Sequence, residues 1–83
     1  MYKVFIEKRV SKSLLKIPDP YYSNIKSAIL DLAENPRPNS CKKLTNRNAY
    51  RIRVSSYRII YEIIDHKLII NVIGLGHRKE VYK

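Results

Sequence analysis

The sequence is short of cysteine, glycine and acidic residues, and each shortage excludes something. It has 83 residues with one Cys, no Trp and two Gly. A lone thiol, Cys41, closes no internal disulfide, which fits a reducing cytoplasm; we read it as a passive loop residue. No Cys/His set has the spacing of a metal site, so neither metal nor cofactor is expected. No apolar run approaches the roughly 20 residues of a membrane-spanning helix. The start, "MYKVFIEKRV", lacks the apolar stretch and cleavage site of a signal peptide. What is left is a cytoplasmic protein with no membrane partner. With no repeat, linker or low-complexity tract, residues 1–83 make a single small domain.

Carboxylates are scarce beside cations: 17 Lys+Arg face 7 Asp+Glu, a formal net charge of +10. A field of that size draws polyanions, nucleic acid first and an acidic protein second. The hydrophobic fraction, 45%, is too high for a disordered tail and sufficient for a folded α+β unit.

The chain divides readily. "YKVFIE" alternates as a first strand. Ser11 offers an N-cap, with Val10, Leu14 and Ile17 on one stripe of a short helix that "PDP" stops. Asp19 as N-cap and Pro20 at the first helical position start a second helix. Ile25, Ile29, Leu32 and Ala33 give it one apolar face, and it ends near Asn35 because Pro36 disfavours helical geometry before it. Residues 36–48 form a basic polar loop. Strands follow at about Ala49–Ser55, Tyr57–Asp65 and Lys67–Leu75, with tight turns at Ser55-Ser56 and Asp65-His66. The fold class is therefore α+β: an N-terminal strand, a helical hairpin, then a three-strand antiparallel meander, in an antiparallel or mixed sheet with the helices on one face.

The stretch "YRIRVSSYRIIYEIID" places arginines in what otherwise reads as two buried strands. Alternation puts Tyr50, Ile52 and Val54 on one face and Arg51 and Arg53 on the other. A two-residue turn at Ser55-Ser56 pairs Val54 with Tyr57, Arg53 with Arg58 and Arg51 with Ile60. Opposed like charges destabilise a ladder by up to about 1 kcal/mol, and an anion between them reverses that sign. A turn at Asp65-His66 sets Leu75 opposite Ser56, so His77 and Arg78 leave near Arg58, and Tyr82 can fold back over the arginines. Alone, Arg51 and Arg53 would be a solvated sheet face; convergence with Arg58 and Arg78 makes a phosphodiester site the better reading. Tyr50, Tyr57 and Tyr61 fall on the opposite face as core residues, and His66 is a passive turn residue.

The run "KKLTNRNAYRIRVSSYRIIYEIIDHKLIINVIGLGHRKEVY" resembles the C-terminal half of RelE/ParE-superfamily toxins, nearest the RelE branch. The resembling features are a "KL" before a variable loop, then "YRIRV", "YRIIY" and a terminal "GHR" followed by "EVY". The N-terminal strand, helix pair and "NP" helix end match as well. The resemblance implies a microbial-ribonuclease-like fold and a toxin of a type II toxin–antitoxin pair, an mRNA interferase. Such an enzyme cuts mRNA in the ribosomal A site: the RNA's 2′-hydroxyl attacks the adjacent phosphate and leaves a cyclic phosphate. It further implies that Arg58 stabilises the phosphate, that Arg78 is a general acid or phosphate ligand, and that Tyr82 orients or deprotonates the 2′-hydroxyl. Arg51 and Arg53 stand where that branch often has lysines, and Arg47 lies near a further basic position. Arginine is a poor proton acceptor, so the base is Tyr82 or His77.

The implied partners are a cognate antitoxin protein, ribosomal RNA and mRNA, with operator DNA reached through the antitoxin. Lys42, Lys43, Lys12, Lys16 and Lys26 are candidate RNA contacts. Two alternatives stay open: a ParE-like toxin that poisons gyrase, and a non-catalytic basic RNA-binding module.

Overall fold

A computed structural model describes residues 1–45 and 48–77. The order is β1 (Lys3–Ile6), α1 (Lys8–Leu15), α2 (Tyr21–Asp31), β2 (Lys42–Lys43), β3 (Ala49–Val54), β4 (Tyr57–Ile64) and β5 (Ile69–His77). The strands form one sheet in the order β1-β5-β4-β3-β2. β1 runs parallel to β5, and every other neighbour is antiparallel. This is the α+β architecture expected, with the mixed-sheet option realised and one extra strand.

Both helices lie on one face. Val10 and Leu14 from α1, with Ile25 and Ile29 from α2 and Leu32 from the turn after it (α2 ends at Asp31, short of the expected Asn35), meet Ile52, Ile59, Tyr61, Ile63, Ile70 and Val72 from the strands. Each aliphatic side chain so buried contributes roughly 1.5–3 kcal/mol, which fixes which face the helices cover. The 34 × 25 × 25 Å body therefore has a helix face and a second, open face on which the described residues place no helix.

Four local expectations need correction. First, α1 starts at Lys8, so Ser11 lies within the helix and its amide donates to the Glu7 carbonyl at 2.9 Å. The apolar stripe fixed the buried side of α1, but a Ser can sit inside a helix as well as cap one. Second, α2 begins at Tyr21, and Asp19 Oδ1 accepts from Ser23 N at 3.1 Å and Ser23 Oγ at 2.7 Å. Asp19 thus serves one amide of that end, that of Ser23, from one residue further out. Third, Lys42–Lys43 leaves the loop to pair with β3, as a short charged strand at the sheet edge.

Fourth, the β4–β5 register differs. The link is a 3₁₀ turn, Asp65–Lys67, closed by Leu68 at φ 54°. Ile60 pairs with Gly74 but Tyr61 pairs with Val72, so Ile73 is an extra residue, a β-bulge. Leu75 lies opposite Ile59, and His77 opposite Tyr57. The bulged carbonyl of Ile73 accepts from Arg9 at 3.3 Å, which ties α1 to the irregularity.

Candidate functional site

The hairpin between β3 and β4 builds the site. Its register pairs Arg53 with Arg58, Arg51 with Ile60 and Val54 with Tyr57, as the alternation implied. Ser55 adopts φ 56°, which lets a turn without glycine reverse the chain. Ile52, Ile59 and Tyr61 enter the core, so Arg51, Arg53 and Arg58 are left together on the open face. The bulge at Ile73 completes the surface. It turns Gly74 and Gly76 to the arginine side, where strict alternation would have sent them to the core. Gly76 faces Arg58 and Gly74 faces Ile60; a Cβ on Gly74 would stand 3.3 Å from the Ile60 Cβ. The sheet is therefore low beside Arg58.

Arg58 is 2% exposed, the buried charged side chain among the described residues. Burial lowers the local dielectric and strengthens any contact its guanidinium makes with an anion. Arg53 is exposed and Arg51 half-buried, with the Arg51 Nε buried and lacking a hydrogen-bond partner among the described residues. Arg58 has an interaction of its own within the fold, and the pairs Arg9–Glu7 at 3.4 Å and Arg37–Asp65 at 2.9 Å lie elsewhere. Arg53, Ser55, Ser56, Tyr57 and Arg58 line a cleft of about 80 Å³ at the hairpin end. The two guanidiniums and the two serine hydroxyls among these residues are forked N–H and O–H donors of the kind a tetrahedral anion accepts.

The other candidates separate. Lys42 stands opposite Arg51 and lengthens the basic row, whereas Lys43 stands opposite Tyr50 and takes the other side. His77 departs from expectation. The extra residue in β5 aligns it with Tyr57 on the helix face, its ring 5.6 Å from the Tyr57 ring in an edge-on contact. It does not join the arginines. Arg47, Arg78 and Tyr82 lie outside the described residues. Lys12, Lys16 and Lys26 are exposed on the helices, Lys26 with its Nζ 5.9 Å from the Tyr22 ring centroid. Sequence reasoning missed Ser55, Ser56 and Tyr57 as cleft-lining residues; the signal was their position between Arg53 and Arg58.

At the far end of the sheet the charges are paired. Arg37 Nη2 donates to Asp65 Oδ2 at 2.9 Å, and Tyr2 Oη donates to Asp65 Oδ1 at 2.6 Å. Arg37 Nε reaches Tyr50 Oη at 3.3 Å while its guanidinium carbon lies 5.2 Å from the Tyr50 ring centroid. The Arg37 and Tyr2 hydrogen bonds hold the Asp65 carboxyl below its ordinary pKa, and the Asp65 bond pushes the Tyr2 hydroxyl above its own. Burial pushes the Tyr61 hydroxyl far up; it donates to the Pro36 carbonyl at 2.8 Å. No group of three His, Cys, Asp or Glu among the described residues is placed to hold a metal ion. None of the described helices is long and apolar enough to cross a membrane.

A small basic domain with two helices on one face of a mixed sheet and an arginine row on the other defines a class, the compact toxins of the RelE/ParE kind. Residues 4–82 match the family model described as the ParE toxin of type II toxin–antitoxin systems, and the chain belongs to that family. It is 29% identical over 85 residues to the mRNA interferase toxin RelE of Escherichia coli, spanning 98% of this chain and 90% of that protein. Its fold superposes on the archaeal RelE–RelB complex from Pyrococcus horikoshii with TM-score 0.85 at 28% identity, covering 96% and 98% of the two chains. It superposes on the intact E. coli RelBE toxin–antitoxin complex with TM-score 0.80 at 28% identity, covering 93% and 96%.

Proposed function

We propose that this toxin is a ribosome-dependent endoribonuclease that cuts mRNA in the A site. The observation that carries the reading is the row Arg51, Arg53 and Arg58 on the helix-free face, with Arg58 buried beside a small cleft. The RelE relatives support it by their names, and the +10 charge supports docking onto ribosomal RNA.

The reaction is an internal transfer. The 2′-oxygen bonds to phosphorus, the bond from phosphorus to the 5′-oxygen breaks, and a 2′,3′-cyclic phosphate and a 5′-hydroxyl result. One proton leaves the 2′-hydroxyl and one reaches the 5′-oxygen. Arg58 and Arg53 hold the non-bridging oxygens as charge grows on phosphorus, the kind of fixed donor that commonly contributes most to catalysis. Arg51 and Lys42 carry the strand on either side. By resemblance, Tyr82 takes the 2′ proton and Arg78 serves the leaving oxygen or the phosphate; Arg47 and Lys43 are outlying RNA contacts. With His77 on the helix face, Tyr82 is the better base. The partner that silences the toxin is an acidic antitoxin protein, through which the pair reaches operator DNA. The reaction needs no metal or cofactor, and the compartment is the cytoplasm.

A second reading is kept because the matching family model is the ParE toxin: gyrase poisoning with no RNA chemistry. Induction followed by mapping of mRNA 5′ ends and DNA breaks separates the two. Codon-linked mRNA ends without DNA breaks support the interferase; DNA breaks with intact mRNA overturn it.

A further inference from the structure

Tyr57 is the wall between two clefts. On one side it lines the hairpin-end cleft with Arg53, Ser55, Ser56 and Arg58. On the other it lines a cleft of about 290 Å³ with Ser13, Ile17, Leu75, Gly76 and His77. The two are unlike in chemistry. The first is rich in cationic and hydroxyl donors. The second has aliphatic walls from Ile17 and Leu75, aromatic rings from Tyr57 and His77, and a hydroxyl at Ser13.

That second cleft is fixed before any ligand arrives. The Tyr57 ring has the His77 ring edge-on at 5.6 Å and the Tyr21 ring tilted at 6.1 Å. Rings held this way lose little freedom when a flat ligand stacks on them. Tyr21 is 42% exposed, so the cluster opens to solvent. Ser13 Oγ donates to the Arg9 carbonyl at 3.2 Å and keeps its lone pairs for an incoming N–H. Aromatic rings beside a positively charged groove are the recurrent means of holding single-stranded nucleic acid, because every base has a π face.

We propose that the Ser13–Tyr57–His77 cleft receives one nucleobase of the RNA strand whose phosphate occupies the Arg53–Arg58 cleft. Tyr57 and Arg58 are adjacent in sequence and point to opposite sides of β4, so the strand rounds the end of the hairpin between them. The site thus reads a nucleotide as phosphate on one side and base on the other. This rests on the phosphate reading of the arginine row. It gives His77 a binding role in place of the catalytic one.

The test uses the full chain titrated at low salt with ribonucleoside 5′-monophosphates and, in parallel, with ribose 5-phosphate. The nucleotides should bind about tenfold more tightly than the sugar phosphate, since stacking on an aromatic side chain is worth roughly that factor or more per base. The ratio should persist in Tyr57→Phe, fall to about one in Tyr57→Leu, and fall several-fold in His77→Ala, which keeps the Tyr57 packing. Ribose 5-phosphate binding with no gain from the base overturns the base cleft and leaves the phosphate site standing. A ratio unchanged in both Tyr57→Leu and His77→Ala also overturns it. Binding by neither compound overturns both readings together.

Discussion

The two ends of the sheet handle arginine in opposite ways. At the β4–β5 turn, Arg37 meets a carboxylate, a phenol and an aromatic face, and Asp65 answers Arg37 and Tyr2 at once. At the β3–β4 turn, Arg53 is set directly against Arg58, and the floor beside them is glycine. The first arrangement is self-sufficient: each charge has its complement within the fold, and together they pin the N-terminus, the loop at Arg37 and the 3₁₀ turn. The second sets two like charges side by side, an arrangement to which a bound anion adds attraction.

The sharpest break in that contrast is Arg58→Ala. Losing one fixed donor to a developing oxyanion costs about 10²–10³-fold in rate, so growth arrest on induction should disappear while the circular dichroism of the fold persists. Arg58→Lys keeps the charge but not the fork, and should recover only part of the activity. Inorganic phosphate sharpens the same contrast. At ten times its dissociation constant it should stabilise the wild-type chain by about 1.4 kcal/mol in thermal melts, with no gain in an Arg53→Ala/Arg58→Ala double variant.

Effects at the paired end should fall on stability and leave cleavage alone. Tyr61→Phe strands the Pro36 carbonyl and should cost about 1 kcal/mol by urea unfolding. Asp65→Asn should lower the melting temperature only slightly at neutral pH, because the pair is exposed. Its pH signature is more telling. With a depressed folded pKa, Asp65 contributes stability that is present above its ordinary value of 3.8 and lost as pH falls through the folded value. With a raised folded pKa, Tyr2 contributes stability that is full below about 10 and lost as pH rises through its folded value. Asp65→Asn should flatten the acid arm and weaken the alkaline one.

Much of this was legible from residue order. Alternation through "YRIRV" and "YRIIY" fixes both faces and the Arg53–Arg58 pairing, because a two-residue turn leaves one register that keeps Ile52 and Ile59 inside. Of the two apolar stripes, Val10, Leu14, Ile25, Ile29 and Leu32 are in the core and Ile17 packs against it, whereas Ala33 falls beyond the end of α2 and outside the core. What stayed hidden was irregular backbone. Nothing in "IIDHKLIINVIG" announces a leucine at positive φ or an extra residue at Ile73, since neither position carries glycine or asparagine. That single inserted residue moved His77 to the helix face and brought Gly74 and Gly76 beneath the arginines. The capping error at Ser11 has a simpler origin: Glu7 follows β1 directly, and its carbonyl opens the helix at once. The lysine pair of β2 reads as loop because its side chains are all charge, and its pairing comes entirely from backbone.

The decisive measurement is single-turnover cleavage of mRNA on ribosomes saturated with wild-type or Arg58→Ala toxin, with the product ends identified. The account predicts upstream fragments ending in a 2′,3′-cyclic phosphate and a rate lower by two to three orders of magnitude in the variant. Equal rates, or products without the cyclic end, would contradict it.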